Sequence, residues 1–117
     1  MPEKRDESFS RKHRLSKSSD FKRIFTKGKR TATPLFVIYS LRNHLPYSRL
    51  GIQVRARIGT AVRRNRIKRI VREVFRRMKL EAAEPLDLIF IAEKELRDIE
   101  FKSFEIEFYK IWKKLVR

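Results

Sequence analysis

The sequence predicts an α+β fold in which helices pack on a small mixed sheet. Three observations favour this class: strand-like runs in the middle of the chain, a later run that is nearly all apolar, and helical periodicity on either side. The predicted order is helix, two or three strands, helix, strand, helix. The chain has 117 residues, so a single domain with a modest core is expected.

The first predicted element is a short helix. Residues 1–14 before it are polar and basic and are expected to be mobile, which leaves residues 15–117 as the domain. Ser18 can cap the helix, Asp20 suits its first turn, and Gly28 is a natural end. Its apolar residues are spaced i, i+3, i+4, at Phe21, Ile24 and Phe25.

Strands are predicted next. Residues 35–41 and 49–55 are strand-like, and residues 30–33 are expected to add an edge strand before Pro34. The linker 42–48 fits a hairpin loop between the two longer strands. In the strand 49–55, the alternation of residues predicts one apolar face. The opposite face contains Gly51, Gln53 and Arg55 and is expected to meet solvent or a ligand.

The second half of the chain predicts two helices around one strand. A basic helix should run from Thr60 to about Lys79, and Glu84-Pro85 breaks it. Residues 87–92 are nearly all apolar, as expected for a strand that is buried on both faces. The last helix, residues 101–116, has one apolar stripe: Phe101, Phe104, Phe108, Ile111, Trp112 and Leu115.

Positive charge dominates the composition. Lys and Arg total 31 against 14 Asp and Glu, giving a net charge of +17 and a pI of about 11.0. Residues 55–77 alone hold ten Lys or Arg and a single acid, Glu73. Such a density of like charge is costly to fold, and it indicates a polyanionic partner, either nucleic acid or an anionic membrane surface.

Several other classes are excluded or disfavoured. No apolar run approaches the ~20 residues of a membrane-spanning helix, and the N-terminus lacks an apolar signal core. The absence of cysteine excludes disulfides and thiolate metal sites, so a cytoplasmic protein is expected. His13 and His44 do not suggest a two-histidine nuclease, and Glu73 and Asp87 form no obvious metal-binding cluster.

A helical wheel separates the side chains of the basic helix into two faces. Ile67 centres an apolar stripe, and its other members lie within about 60° of it: Ile70, Val71, Val74 and Met78. A cationic face spans about 60° to 200° and contains, in angular order, Arg64, Lys68, Arg72, Asn65, Arg76 and Arg69. Arg66 and Arg77 lie on the other flank beside Glu73.

This cationic face differs from an ordinary solvated one. Solvated faces usually mix charges, whereas Arg64, Lys68, Arg72 and Arg76 form a ladder of like charges at i, i+4 steps. Binding to phosphates would offset this repulsion. Arg outnumbers Lys here, which favours nucleic acid over lipid, because guanidinium binds phosphate bidentately and stacks on bases. Asn65 is either a base or ribose contact or an ordinary polar helix residue.

The early aromatic residues suggest a second surface. Phe21, Phe25 and Tyr39 are ordinary core candidates. If the first helix lies beside the strand face that carries Tyr39, however, they form a groove with aromatic walls and cationic rims. Such a groove suits single-stranded RNA, since bases of any sequence stack on aromatic rings with ~1–3 kcal/mol each.

Residues 57–73 resemble the signature of the bacterial ribonuclease P protein subunit. The family's pattern is basic-x-Gly-x-Ala-Val-x-Arg-Asn-x-x-Lys-Arg-x-x-Arg-Glu. Every fixed position is matched, by Arg57, Gly59, Ala61, Val62, Arg64, Asn65, Lys68, Arg69, Arg72 and Glu73. The resemblance covers most of the chain. It departs at Ala56-Arg57, where the family often has two basic residues, and at Thr60, where many members have Asn.

The resemblance implies a fold and an activity. The fold is a two-layer α/β sandwich of the ribosomal-protein-S5-like kind, ordered α-β-β-β-α-β-α, with a left-handed crossover through the basic helix. The activity is endonucleolytic removal of the 5′ leader from precursor tRNA. The catalyst is ribonuclease P RNA with Mg²⁺ that the RNA mainly holds. The protein is then a cofactor with no catalytic side chains. Its expected partners are that RNA and precursor tRNA, and no membrane or small-molecule substrate is expected.

Site residues are carried over by matching position. The resemblance implies contact with the catalytic RNA at Arg57, Arg63, Arg64, Asn65, Arg66, Lys68, Arg69, Arg72 and Arg76. It implies a cleft for the single-stranded leader at Phe21, Phe25 and Tyr39, with expected neighbours at Arg14, Val37, Gln53 and Arg55. The remaining alternatives are a ribosomal or other structural RNA-binding protein, and a basic protein that binds a membrane surface or DNA.

Overall fold

The computed structural model describes residues 11–78, 84–94 and 100–115. Its elements, in chain order, are helix α1 (Ser18–Lys27), strands β1 (Lys29–Ala32), β2 (Phe36–Arg42) and β3 (Arg49–Gln53), helix α2 (Ala61–Met78), strand β4 (Leu86–Ala92) and helix α3 (Glu100–Leu115). Short 3₁₀ helices, Arg11–His13 and Ala56–Ile58, precede α1 and α2. The predicted α+β class and element order are confirmed. Lys79 and Val116, expected at two helix ends, lie outside the described residues.

The strands form one sheet in the order β1-β2-β4-β3. β4 pairs antiparallel with β2 and parallel with β3. The predicted hairpin between β2 and β3 is therefore wrong, because β4 lies between these strands. β4 is the most apolar strand, and all of its residues except Ile91 are buried. A strand at the centre of the sheet is covered on both faces, which suits this apolar sequence. The predicted left-handed crossover through α2 stays a prediction.

The main core lies between one face of the sheet and helices α2 and α3. The sheet contributes Phe36, Ile38, Leu50, Leu88 and Phe90, and the helices contribute Ile67, Val71, Phe75, Phe104, Phe108 and Trp112. On the other face, α1 packs Ile24 against Ile89 with Tyr39 and Leu41 beside them. The sheet with α2 and α3 thus forms the two predicted layers, and α1 covers part of the second face.

The ends of α1 differ in detail from the prediction. The N-cap is Lys17 and makes no side-chain cap bond, so the predicted capping by Ser18 is wrong. The carboxylate of Asp20, in the first turn, instead lies 3.3 Å from Arg49 Nη1. Gly28 ends the helix as predicted. An added Cβ at Gly28 would lie 2.5 Å from the backbone oxygen of Ile24, so close packing explains the glycine.

The segment before α1 is packed against the domain. His13 is 3% exposed, and its Nδ1 donates to the backbone oxygen of Ser48 at 2.8 Å. The backbone N–H of Leu15 donates to Leu50 at 3.0 Å. Residues 11–14 therefore belong to the folded domain, which corrects the expectation that the mobile segment extends to residue 14. Residues 1–10 lie outside the described residues.

The packed segment also changes the buried side of α2. Ile67, Val71 and Val74 are buried as predicted, and Ile70 is half-buried. Phe75 is fully buried as well, although the wheel places it at about 80°, within the cationic range. The ring of His13 lies 6.1 Å from that of Phe75, edge to face. Phe75 thus lies between the 3₁₀ helix and Trp112 of α3, whose ring is 5.7 Å away.

Candidate nucleic-acid interface

Three local features fix the start of α2. Gly59 has a φ of 144°, a backbone conformation that side chains other than hydrogen rarely tolerate. Thr60 Oγ1 accepts a hydrogen bond from the backbone N–H of Arg63 at 3.2 Å, which confirms Thr60 as a helix cap. Arg64 Nη1 donates to the backbone oxygens of Gly59 at 2.6 Å and Ala56 at 3.1 Å. Part of the Arg64 guanidinium is therefore used to hold the turn.

The centre of the predicted cationic face is open to a partner. Asn65 and Arg69 are exposed, and Lys68 and Arg72 are half-buried. Within the described residues, the side chains of Lys68, Arg69 and Arg72 form no ion pair. A shallow groove of about 630 Å³ runs along Asn65, Arg69 and Arg72, with the exposed Val62 at its start; Arg66, Glu73 and Arg76 also line it. We call Asn65, Lys68, Arg69 and Arg72 the open face, which carries three positive charges and no carboxylate.

Glu73 compensates the charge at the C-terminal end of α2. Its Oε2 accepts a hydrogen bond from Arg76 Nη2 at 2.8 Å and lies 3.7 Å from Arg77 Nη2. The hydrogen bond from Arg76 lowers the pKa of Glu73 despite partial burial, and the charges of Arg76, Arg77 and Arg69 act in the same direction. Arg76 is therefore less available to a phosphate than Arg69.

The other predicted contacts on this segment lie around the open face. Arg66 lies on the opposite flank, as the wheel predicts, and its guanidinium carbon is 4.0 Å from the centroid of the Phe101 ring. This cation–π contact joins α2 to α3. Arg57 is exposed in the 3₁₀ helix, and Arg63 is half-buried in the first turn of α2. Arg66 therefore also borders the groove that Asn65, Arg69 and Arg72 line, while its guanidinium packs on α3.

The predicted aromatic residues meet on the α1 side of the sheet. The rings of Phe25 and Tyr39 are edge to face, with centroids 4.9 Å apart, and Phe21 lies 6.4 Å from Phe25. Phe25 is 37% exposed, and Phe21 and Tyr39 are half-buried. Gly51 makes room for this arrangement, since an added Cβ would lie 2.7 Å from the Phe21 ring. We call Phe21, Phe25 and Tyr39 the aromatic cleft.

The four predicted neighbours of the cleft differ in accessibility. Arg14 and Arg55 are exposed, and Gln53 is half-buried. Val37 is 3% exposed, so it offers a ligand almost no surface. Its predicted contact with a ligand is corrected to a supporting position beneath the cleft, because its side chain packs on the face of β2 that also carries Tyr39.

A groove at the edge of the sheet lies between the open face and Gly51, the residue against which Phe21 packs. It has a volume of about 200 Å³ and lies beside β3. Arg14 and Gly51 line it on the cleft side, and Lys68 and Arg72 line it on the α2 side. Arg14 is held there by a parallel bridge to Leu50. The groove therefore extends the cationic surface of α2 toward Arg14 and β3.

A buried ion cluster beneath α1 was not predicted from the sequence. The side chain of Asp87 is fully buried. It accepts hydrogen bonds from Arg49 Nε and Nη2 at 2.8 and 2.7 Å, from Arg23 Nη2 at 2.8 Å and from Asn43 Nδ2 at 2.9 Å. These residues join α1, β3, β4 and the loop after β2. The cluster therefore fixes the helix that carries Phe21 and Phe25 over the sheet.

The protonation state of this cluster follows from its contacts. Burial alone would raise the pKa of Asp87, but the hydrogen bonds from Arg49, Asn43 and Arg23 outweigh burial and hold the pKa below its usual value. The hydrogen bond to Asp87 raises the pKa of Arg49. The sequence did contain a signal. A carboxylate that opens a strand buried on both faces needs cationic partners in the fold.

Other kinds of site find little support in the described part of the chain. None of its His, Asp and Glu side chains form a group of three or more that could hold a metal ion. His13 is buried under Tyr47 and Phe75, whereas His44 is exposed in the loop after β2. Among the described helices, none combines the length and apolar character needed to cross a membrane.

Comparisons with known proteins agree on one family. A family model described as Ribonuclease P matches residues 9–116. The chain is 42% identical to the ribonuclease P protein component of Thermotoga maritima over 110 residues, which cover 94% of this chain and 92% of that protein. It is 39% identical to the ribonuclease P protein component of Clostridioides difficile, over 83% of this chain and 86% of that protein.

Solved structures show the same relationship in the fold. The RNase P protein of Staphylococcus aureus superposes with a TM-score of 0.75 at 33% identity, covering 90% of this chain and 98% of that one. The RNase P protein of Thermotoga maritima superposes with a TM-score of 0.62 at 39% identity, covering 87% of this chain and 90% of that one.

Proposed function

The chain belongs to the ribonuclease P protein family, the protein subunits of a tRNA-processing ribonuclease, and we propose that it binds the enzyme's RNA through the open face and the precursor's 5′ leader in the aromatic cleft. The observation that carries this proposal is the cluster of Lys68, Arg69 and Arg72, which form no ion pair within the described residues; Lys68 and Arg72 also line the groove beside β3. A purely structural RNA-binding role is not favoured, because the relatives and the family model all carry the ribonuclease P name.

The open face suits a folded RNA with closely spaced phosphates. Lys68 and Arg72 are one helical turn apart, and Arg69 lies beside them, so their charges lie on one side of α2. Each cation that contacts a phosphate releases counterions, which supplies affinity without sequence preference. Asn65 is the uncharged member of the face and can donate and accept hydrogen bonds with a base edge or a ribose hydroxyl.

The aromatic cleft suits a single strand. The ring of Phe25 is the most accessible of the three, and Tyr39 supports it from the sheet at a centroid distance of 4.9 Å. Unpaired bases can stack on these rings, while Arg14 and Arg55 lie near enough to the sheet edge to meet the backbone phosphates. The leader of a precursor tRNA is single-stranded, and the mature tRNA is not, so the cleft distinguishes substrate from product.

In this proposal the protein positions the RNA molecules and the RNA carries the chemistry. Mg²⁺ bound mainly by the RNA would supply Lewis-acid activation of the hydrolytic water and the leaving oxygen. The protein lowers the repulsion between catalytic RNA and precursor, and it holds the leader in line with the cleavage site. We place the assembly in the cytoplasm, with ribonuclease P RNA and precursor tRNA as partners.

The direct test combines the full chain with purified ribonuclease P RNA and precursor tRNA. The chain should bind the RNA tightly and increase the rate of leader removal at low Mg²⁺ concentration. Mature 5′ ends, resolved by gel electrophoresis, are the readout. Tight binding without any gain in cleavage would instead favour a structural RNA-binding protein.

The cleft assignment is tested by Tyr39→Ala. This change should weaken the affinity for a precursor with a long leader by about tenfold, because one stacking support is lost. The affinity for mature tRNA, which has no leader, should change little. Filter binding of both RNAs to the reconstituted complex measures the two values. An equal loss for both would show that the leader does not lie in this cleft.

A further inference from the structure

A second groove lies between the C-terminal half of α2 and helix α3. Its volume is about 360 Å³. Val74 is buried at its base, while Ile106 and Tyr109 are 46% and 41% exposed. We call it the α2–α3 groove. The established family and the proposed function leave this surface without a role.

The distribution of the exposed large apolar side chains among the described residues indicates where contact surfaces lie. There are four large ones: Phe25, Val62, Ile106 and Tyr109. Phe25 lies in the aromatic cleft, and Val62 lies at the start of the groove along the open face. The remaining two lie together in the α2–α3 groove. Two adjacent exposed apolar side chains in a highly charged chain indicate a contact surface.

The charges around this groove have one dominant sign. Its rim holds four cations and one carboxylate, namely Arg77, Lys102, Lys110, Lys113 and Glu105. The exposed charged residues of α3 are all lysines, whereas its glutamates are half-buried. Lys113 Nζ also lies 5.6 Å from the centroid of the Tyr109 ring, so charge and aromatic surface are adjacent.

We propose that the α2–α3 groove binds a single-stranded segment of RNA, with a base stacked on Tyr109 and the backbone phosphates near Lys102 and Lys113. An exposed aromatic ring bordered by cations is the arrangement that binds unpaired bases without sequence preference. A second copy of the chain is a poor occupant, because each copy carries a net charge of +17. A membrane surface is a poor one too, since a membrane-binding helix needs a broader apolar face.

This contact would extend the RNA-binding surface around α2. Arg77 lines the α2–α3 groove and lies 3.7 Å from Glu73, which lines the groove along the open face, so the two grooves are neighbours on α2. An RNA strand in the α2–α3 groove would therefore lie beside the RNA on the open face. The groove would hold a separate flexible segment of RNA in the assembled complex.

Photo-cross-linking of the full chain tests the proposal. The probe is a single-stranded RNA of about ten nucleotides that contains 4-thiouridine, a size matched to a site of a few stacked bases. After irradiation and trypsin digestion, a cross-link in the groove should appear on the peptide 103–110, which contains Ile106 and Tyr109. Cross-links in the aromatic cleft fall on other peptides, so the two surfaces are read separately.

Two matched pairs of variants separate stacking and charge from a general effect. Tyr109→Ala should weaken binding in the groove by about tenfold, whereas Tyr109→Phe, which keeps the ring, should retain it. Lys113→Ala should lower the cross-linking yield on peptide 103–110 roughly threefold, because a phosphate contact is lost. Lys114→Ala removes the same charge from an exposed position outside the groove and should change this yield little.

Several outcomes would overturn the proposal. These are the absence of a cross-link on peptide 103–110, equal effects of Tyr109→Ala and Tyr109→Phe, or equal effects of Lys113→Ala and Lys114→Ala. If Tyr109→Ala weakens binding to phosphatidylglycerol vesicles but not to RNA, the groove binds a membrane surface. If sedimentation velocity shows a dimer that Tyr109→Ala dissociates, the groove binds a second copy of the chain. None of these outcomes affects binding of ribonuclease P RNA to the open face.

Discussion

The arginines beneath α1 and the arginines along α2 have opposite surroundings. Arg23 and Arg49 surround the buried carboxylate of Asp87, and Arg49 also lies 3.3 Å from Asp20. Arg69 and Arg72 lie on the open face, where the described residues offer them no ion pair. One group of charges is neutralised by direct ion pairs with a buried carboxylate, and the other is not.

The difference shows how a chain with a net charge of +17 can fold and still bind a polyanion. Charges in the interior must be paired, because an unpaired buried ion is strongly destabilising. Charges on the surface are screened by water and salt, so their repulsion is tolerable until phosphates replace the counterions. Changing the buried cluster should therefore affect folding, and changing the open face should affect RNA binding.

The largest expected effect is that of Asp87→Asn. Asn keeps the shape but removes the charge, which leaves Arg23 and Arg49 partly buried without a carboxylate. The free energy of unfolding should fall by about 3–5 kcal/mol, the usual cost of breaking a buried ion pair. Urea unfolding followed by circular dichroism measures this change.

Glu84→Gln is the matched control. Glu84 Oε2 lies 2.6 Å from Arg42 Nε, but both side chains are more than half exposed. Removal of a surface pair should cost less than about 1 kcal/mol. Similar losses of unfolding free energy for the two variants would show that the burial of Asp87 does not determine how much it stabilises the fold.

The next effect is on the pH dependence of stability. The pKa of Asp87 is lower in the folded chain than its unfolded value of about 3.9. The ionised carboxylate therefore contributes stability above the unfolded pKa, and this contribution is lost as the pH falls through the folded pKa. Stability should decline below a pH of about 4, and Asp87→Asn should flatten that decline.

Urea midpoints measured at several pH values check this expectation. The lowered pKa of Glu73 acts in the same direction, so the difference between the parent and Asp87→Asn isolates the buried carboxylate. If both proteins lost stability equally on acidification, Asp87 would not be the group responsible.

The last comparison distinguishes two arginines of the same helix. Arg64→Ala should cost about 1.5–3 kcal/mol, since its guanidinium donates to the backbone oxygens of Gly59 and Ala56. Arg69→Ala should leave the melting temperature nearly unchanged and lower the affinity for ribonuclease P RNA by about tenfold, with a salt dependence reduced by about one phosphate contact.

Thermal unfolding and RNA binding at several salt concentrations measure both variants. The Arg69→Ala variant is the cleaner probe of the open face, because Arg69 is exposed. A large loss of stability in Arg69→Ala would mean that the open face also has a structural role.

Local patterns predicted most of the elements and the aromatic cleft. Spacing placed Ile67, Val71 and Val74 on the buried side of α2, and it placed Arg66 on the other flank. It missed Phe75, because the residue is covered by Trp112 and His13, which come from distant parts of the chain. A helical wheel describes one helix and contains no information about the segment that packs across it.

Tertiary contacts also explain the other errors. The hairpin predicted between β2 and β3 is a local interpretation, whereas the position of β4 depends on how well the whole sheet covers Leu88 and Phe90. The cluster around Asp87 joins residues as far apart as Arg23 and Asp87 in sequence. No periodic pattern connects such positions, although a buried carboxylate in an apolar strand predicts that partners exist.

The central position of β4 has a consequence for how the chain folds. β1 and β2 can pair early, because they are neighbours in sequence and in the sheet. β3 is the edge strand beside β4, and its partner follows only after all of α2. Until Leu86–Ala92 is synthesised and inserted, β2 and β3 each present an open edge. Sheet closure is thus a late, long-range step of folding, slower than the formation of any single helix.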